Sequence, residues 1–296
     1  MTAITHIAIA AAALAFAAPP PQSEPPTDSQ SIIVTGPRNL DREAREFVRA
    51  LTPAPNHGQI SRMELGMCPK VVGLSPSQEA AVTARMRRVA KAAGAPVANS
   101  RCNANVLLVV TRDKRAFIER LERDEPSFFP PQWDRAQLRR FAEDPGPAAA
   151  WHSEDKVRRD GRELATDFGS GVAYQKTTEF PSRASPMARP RLLTAIVVVQ
   201  SDSLVGLTTI QLADYAAMRA LTHADPARLA GSGPPTILKV LETPMGSPVP
   251  LTLTEWDLGF LKAAYASRQN VYAGAQRSDM TRELKKQLSG PEAAPK

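Results

Sequence analysis

The sequence predicts an α/β or α+β fold built on a single mixed sheet with packed helices, and three stretches carry that expectation. Asn105 to Thr111 and Leu192 to Val199 are short runs rich in β-branched residues and apolar at consecutive positions, the pattern of strands covered on both faces. Leu207 to Leu221 is apolar on nearly every side, so a helix there must be surrounded by other elements. Helical periodicities with capping signals fill the intervals, and a strand closely followed by a helix is α/β punctuation.

Taken in order, the chain opens with a predicted secretory signal peptide over residues 1–17. An apolar run from Ile7 to Phe16 leads into the small-residue triplet Ala15-Phe16-Ala17, and the run is too short to span a bilayer. No Cys follows it, so attachment through a lipidated cysteine is not indicated. Residues 18–31, rich in Pro, Ser and Gln, read as a disordered spacer. A single globular domain is expected over 32–288 and a flexible tail over 289–296. Within the domain, Ile32 to Thr35 suggests an edge strand. A helix follows from about Asp41 to Leu51, with apolar residues at helical spacing and Pro53 and Pro55 beyond its end.

Ser75-Pro76-Ser77-Gln78 has a capping Ser, a Pro at the first helical position and a Gln able to reach back, and Gly94 marks that helix's end. Asp113 caps a further helix after the strand at 105–111. Asp134 and Gln137 open another in capping-box spacing. Ala148 to His152 reads as a short strand, and 154–191 as an irregular basic loop containing an Asp160-Gly161 turn and a strand near Gly171 to Thr178. After the strand and apolar helix at 192–221 come a short helical turn at Thr236 to Leu241, a helix from Thr254 to Tyr265 and a final amphipathic helix from about Ala275 to Leu288. In the helix at Thr254, Asp257 occupies the third position, where Glu is the better reciprocal partner.

The chemistry the chain can carry is narrowed by what its motifs exclude. There is no HExxH, GxSxG, P-loop or GxGxxG, so no metal and no cofactor is expected. Three His remain after signal removal, His57, His152 and His223, well separated along the chain. His152 and Glu154 fall on one face of a strand, a candidate acid/base pair, and Asp214 is a carboxylate on the apolar helix. Cys68 and Cys102, an even count without CxxC spacing in an exported chain, predict a structural disulfide. Lys and Arg number 37 against 30 Asp and Glu, a net charge of +7. Outside the cytoplasm this argues against nucleic acid and toward anionic envelope components or another envelope protein. Arg85, Arg88 and Lys91 on the helix after Ser75 are the candidate anion-binding residues.

The last third of the chain resembles a group of uncharacterised exported bacterial proteins with a zincin-like metalloprotease layout. The resemblance rests on the strand Leu193 to Val199, the helix Leu207 to Leu221 and the segment Leu253-Thr254-Glu255-Trp256-Asp257-Leu258-Gly259-Phe260-Leu261-Lys262-Ala263-Ala264-Tyr265. It implies a metalloprotease-like scaffold whose metal helix carries Asp214 at the Glu position of HExxH and Ala213 and Ala217 in place of the His ligands. The expectation is therefore a periplasmic or secreted, non-enzymatic binding or envelope-associated accessory module, with a degenerate zincin-like hydrolase as the alternative.

Overall fold

A computed structural model describes residues 37–55, 57–167, 169–176, 185–229, 233–244 and 246–290. The expected signal peptide, the spacer, the edge strand at Ile32 to Thr35 and the end of the tail lie outside those residues. Among the described residues the fold is mixed α/β, with seven α-helices, a four-stranded mixed sheet and a separate two-stranded sheet.

The main sheet has the order β1 (Pro69–Val72), β2 (Val106–Thr111), β6 (Ala188–Gln200), β3 (Ala148–Arg158). The first three run parallel and β3 is antiparallel to β6 at one edge, which among the described residues is open from Ala148 to Glu154 and bridged at Val157 by Glu163. The continuous apolar runs follow from the layers. Ala195, Val197 and Val199 of β6 face a large core on one side, while Ile196 and Val198 face a smaller one on the other. A strand with helices on both faces has no solvent side to make polar.

The large core is closed by α1 (Pro37–Leu51), α2 (Pro76–Ala93), α5 (Thr209–Leu221), α6 (Glu255–Ala266) and α7 (Ala273–Leu288), and the smaller by α3 (Lys114–Asp124) and α4 (Arg135–Glu143). α5 lies at the centre, with every residue from Gln211 to Leu221 buried. Burying each of Leu212, Tyr215, Met218 and Leu221 is worth roughly 1.5–3 kcal/mol. Its polar members Gln211 and Arg219 are both hydrogen-bonded. Gln211 closes the capping box with Thr208 and donates to Pro250 O at 2.9 Å, and Arg219 donates to the Tyr215 hydroxyl at 2.8 Å.

Several elements differ from their sequence expectation. β1 has no counterpart in the sequence reading, and α1 begins at Pro37 rather than near Asp41. The irregular loop is shorter than expected: β3 continues to Arg158 and β6 begins at Ala188. Within it Gly161, at φ 86°, makes the expected turn, and β4 (Ala165–Thr166) pairs with β5 (Ala173–Tyr174). Gly73, after β1, has φ 95° and lies so close to Val110 O that a Cβ would collide with it. Asp257 serves as more than a cap partner. Its carboxylate accepts from Thr254 N (3.0 Å), Ile237 N (2.8 Å) and Thr236 Oγ1 (2.5 Å), joining α6 to the helical turn Ile237–Lys239.

Candidate functional site

Three segments converge at the open edge of the sheet. Alternation along β3 turns His152 and Glu154 toward α5, as expected of two residues on one strand face. α5 stops at Leu221, where Thr222 is extended (φ −149°, ψ 165°) and its hydroxyl donates back to Met218 O at 2.8 Å, and the chain leaves the helix at His223. Ser61 is buried on a segment held alongside β6, because Met63 bridges Leu192 and Leu192 N donates to Arg62 O at 3.0 Å.

Ser61 Oγ lies 2.5 Å from Glu154 Oε1 and 3.0 Å from His223 Nε2, and His223 Nε2 lies 2.6 Å from the same carboxylate oxygen. The His152 and His223 rings are edge to face with centroids 4.4 Å apart. Burial pushes the Glu154 carboxyl up, but its contacts with His223 and the Ser61 hydroxyl outweigh that and hold it below the usual carboxylate range. An ionised carboxylate only accepts, so the 2.6 Å contact requires the proton on His223 Nε2. That nitrogen is then no base for Ser61, whose own proton goes to Glu154. All of these contacts use Oε1; among the described residues Glu154 Oε2 has no hydrogen-bond donor.

His152 is buried, and desolvation followed by the charge of His223 and Arg219 pushes its pKa well below the ordinary histidine value, against backbone hydrogen bonding at Arg219 and Ala220. Its Nε2 is buried without a hydrogen-bond partner.

Two cavities meet at this cluster, and both are lined by His223 and Pro53. One, of about 290 Å³, is walled by Leu51, Ile60, Leu221, Phe260, Ala264 and Met280, with Ser61, Glu154 and His223 on its polar side. The other is a groove of about 650 Å³ along β3, lined by Ala148, Ala149, Ala150 and His152 and flanked by charged residues including Arg140, Arg219 and Arg228. Gln200 N donates to Pro147 O at 2.9 Å, so the hydrogen-bonded pairs fall at Ala149–Val198 and Trp151–Ile196. The backbone groups of Ala148, Ala150 and His152 therefore point away from β6, toward the open edge.

The other sequence candidates lie elsewhere. Asp214 is fully buried and paired with Arg85 through contacts of 2.6 and 2.9 Å, and it also accepts from Thr252 Oγ1 and Leu253 N. Arg85 is thereby committed to a structural pair that ties α2 to α5, which leaves Arg88 and Lys91 exposed on α2. Cys68 and Cys102 form a disulfide. His57 is exposed, and among the described residues no group of three or more His, Cys, Asp or Glu side chains has an arrangement that could hold a metal ion. Ser61 was not singled out from the sequence. A lone Ser between two helices has no local signal, and only its long-range contacts mark it. No family model matches the chain, and no curated protein or solved structure matches it significantly.

Proposed function

We propose that this protein is a non-enzymatic, exported binding module that holds an extended peptide segment against the free edge of β3. The observation that carries the reading is that groove, whose floor is an open strand edge with small Ala side chains and which His152 also lines. An unpaired edge offers main-chain hydrogen bonds to an added strand. The distribution of protons supports binding over catalysis, since His223 does not stand as a base toward Ser61 and the Glu154 carboxylate is a weakened one. The zincin-like resemblance fits the same picture. A metalloprotease-like scaffold with Ala213 and Ala217 on its central helix lacks those ligands and retains a groove for a polypeptide. The proposed setting is the periplasm or the exterior of the cell, where the partner is a peptide or an exposed segment of another envelope protein.

The test is fluorescence anisotropy with a C-terminally labelled heptapeptide of alternating β-branched and polar residues. Saturable binding is expected at micromolar concentration. Ala150→Pro removes an N–H that points to the open edge and leaves the pairing with β6 intact, so affinity should fall by about tenfold without loss of folding. Absence of saturable binding, or an unchanged affinity in Ala150→Pro, would overturn the proposal.

A further inference from the structure

We infer that the site selects polypeptides by their free amino terminus, holding the α-ammonium at Glu154 and the first, apolar side chain in the adjoining cavity of about 290 Å³. The inference rests on the peptide reading above and adds direction and end-specificity to it.

Direction comes from the strand. β3 runs from Ala148 toward Arg158, and antiparallel pairing, which outnumbers parallel pairing, gives a docked strand the opposite course. Its amino-terminal end then lies beside Glu154 and its carboxy-terminal end beside Ala148. The seven residues from Ala148 to Glu154 span about 20 Å, enough to engage six or seven ligand residues.

The chemistry at the Glu154 end fits a cation with an apolar neighbour. Glu154 is ionised, its side chain is 37% exposed, and Oε1 is held by Ser61 and His223 while Oε2 accepts no hydrogen bond among the described residues. The cations nearby are already engaged: His223 donates to Oε1 at 2.6 Å, and Arg219 donates to the Tyr215 hydroxyl at 2.8 Å. Arg62, although it lines the same cavity, is spent on the carbonyls of Ala264, Tyr265 and Ser267, and His152 is uncharged. The apolar cavity adjoins the groove, with Pro53 and His223 common to both. Past Glu154 the outer side of β3 is already taken, because Arg158 N donates to Arg162 O at 2.8 Å and Val157 bridges Glu163, so a docked strand begins near Glu154 and places its first side chain in the cavity.

The experiment compares two C-terminally labelled heptapeptides beginning with Leu, one with a free amino terminus and one acetylated. Acetylation is expected to weaken binding to the wild-type protein by about tenfold or more, the scale of a lost charge-assisted contact. Replacing the first Leu by Ser should weaken it as well. Affinity for the free-amine peptide should decline as pH rises past about 8, where an α-amino group loses its proton. In Glu154→Gln the difference between the two peptides should disappear. Equal binding of both peptides to the wild-type protein would overturn the amino-terminal inference while leaving the groove reading in place. Failure of both peptides to bind would overturn the groove reading and this inference with it. The acetylation comparison uses only the wild-type chain, so its outcome does not depend on how Glu154→Gln folds.

Discussion

The two ring nitrogens of His152 meet different surroundings: one side of the imidazole is met by backbone at Arg219 and Ala220, and Nε2 is buried with no donor among the described residues. A neutral ring suits both, because its single proton is spent on the backbone and the other nitrogen remains an acceptor. This carries a pH consequence. The folded pKa lies well below the unfolded value, so His152 binds a proton on unfolding at mildly acidic pH. Its stabilising contribution is complete above about pH 6.5 and is lost as pH falls below that, by up to about 1.4 kcal/mol per pH unit. Urea denaturation at pH 7.5 and 5.0 should reveal a loss in the wild-type chain that is smaller in His152→Gln. Glu154, whose folded pKa is lowered, acts below this window, its contribution declining as pH falls through the carboxylate range. Sequence alone paired His152 with Glu154 because both fall on one strand face. Ser61 and His223 join them across 93 and 69 residues of chain, a separation that local patterning does not encode.

At the scale of elements, the best-read segments were those whose signals are local. The Ser75 cap, the Pro at the first position of α2 and Gly94 at its end act within a few residues of one another, and Gln78 Oε1 accepts from Ser75 N at 3.2 Å as its spacing implies. β1 escaped notice because its four residues are too few for any periodicity to register. The polar half of β3, Ser153 to Arg158, looked like loop for a different reason. Its strand character comes from pairing with Ala188 to Thr194, reinforced by Arg191 contacts of 2.8 and 2.7 Å to Asp155. The disulfide belongs to this scale as well, since it joins Cys68, just before β1, to Cys102, in the connection leading to β2, across a separation of 34 residues. Closing such a loop limits the unfolded chain and should contribute about 3 to 4 kcal/mol. Cys68→Ser is therefore expected to melt at a lower temperature than the wild-type protein. Identical melting of the wild type with and without reductant would show that the bridge contributes nothing.

For the whole molecule, the proposed export links the apolar run at Ile7 to Phe16, the disulfide and an envelope partner. Amino-terminal sequencing of the protein recovered from outside the cytoplasm should find a chain beginning near Ala18, and a chain retaining Met1 would count against cleavage. Among the described residues no helix is long and apolar enough to cross a membrane. Charge illustrates how assembly reassigns roles. Arg85, grouped by sequence with Arg88 and Lys91 as an anion-binding face, is drawn into the pair with Asp214, because a carboxylate buried on α5 requires a cation near it. The mixed α/β class, the central position of α5, the helix caps and the cysteine pairing were determined by the sequence itself, because apolar periodicity, capping chemistry and an even cysteine count each act through composition or near neighbours. The extent of β3, the pairing of Asp214 with Arg85, and the meeting of Ser61, His152, Glu154 and His223 beside two cavities were decided only in the tertiary structure. Those features depend on which strand forms the open edge and on what the end of α5 packs against, and both are set by contacts between residues far apart in the chain.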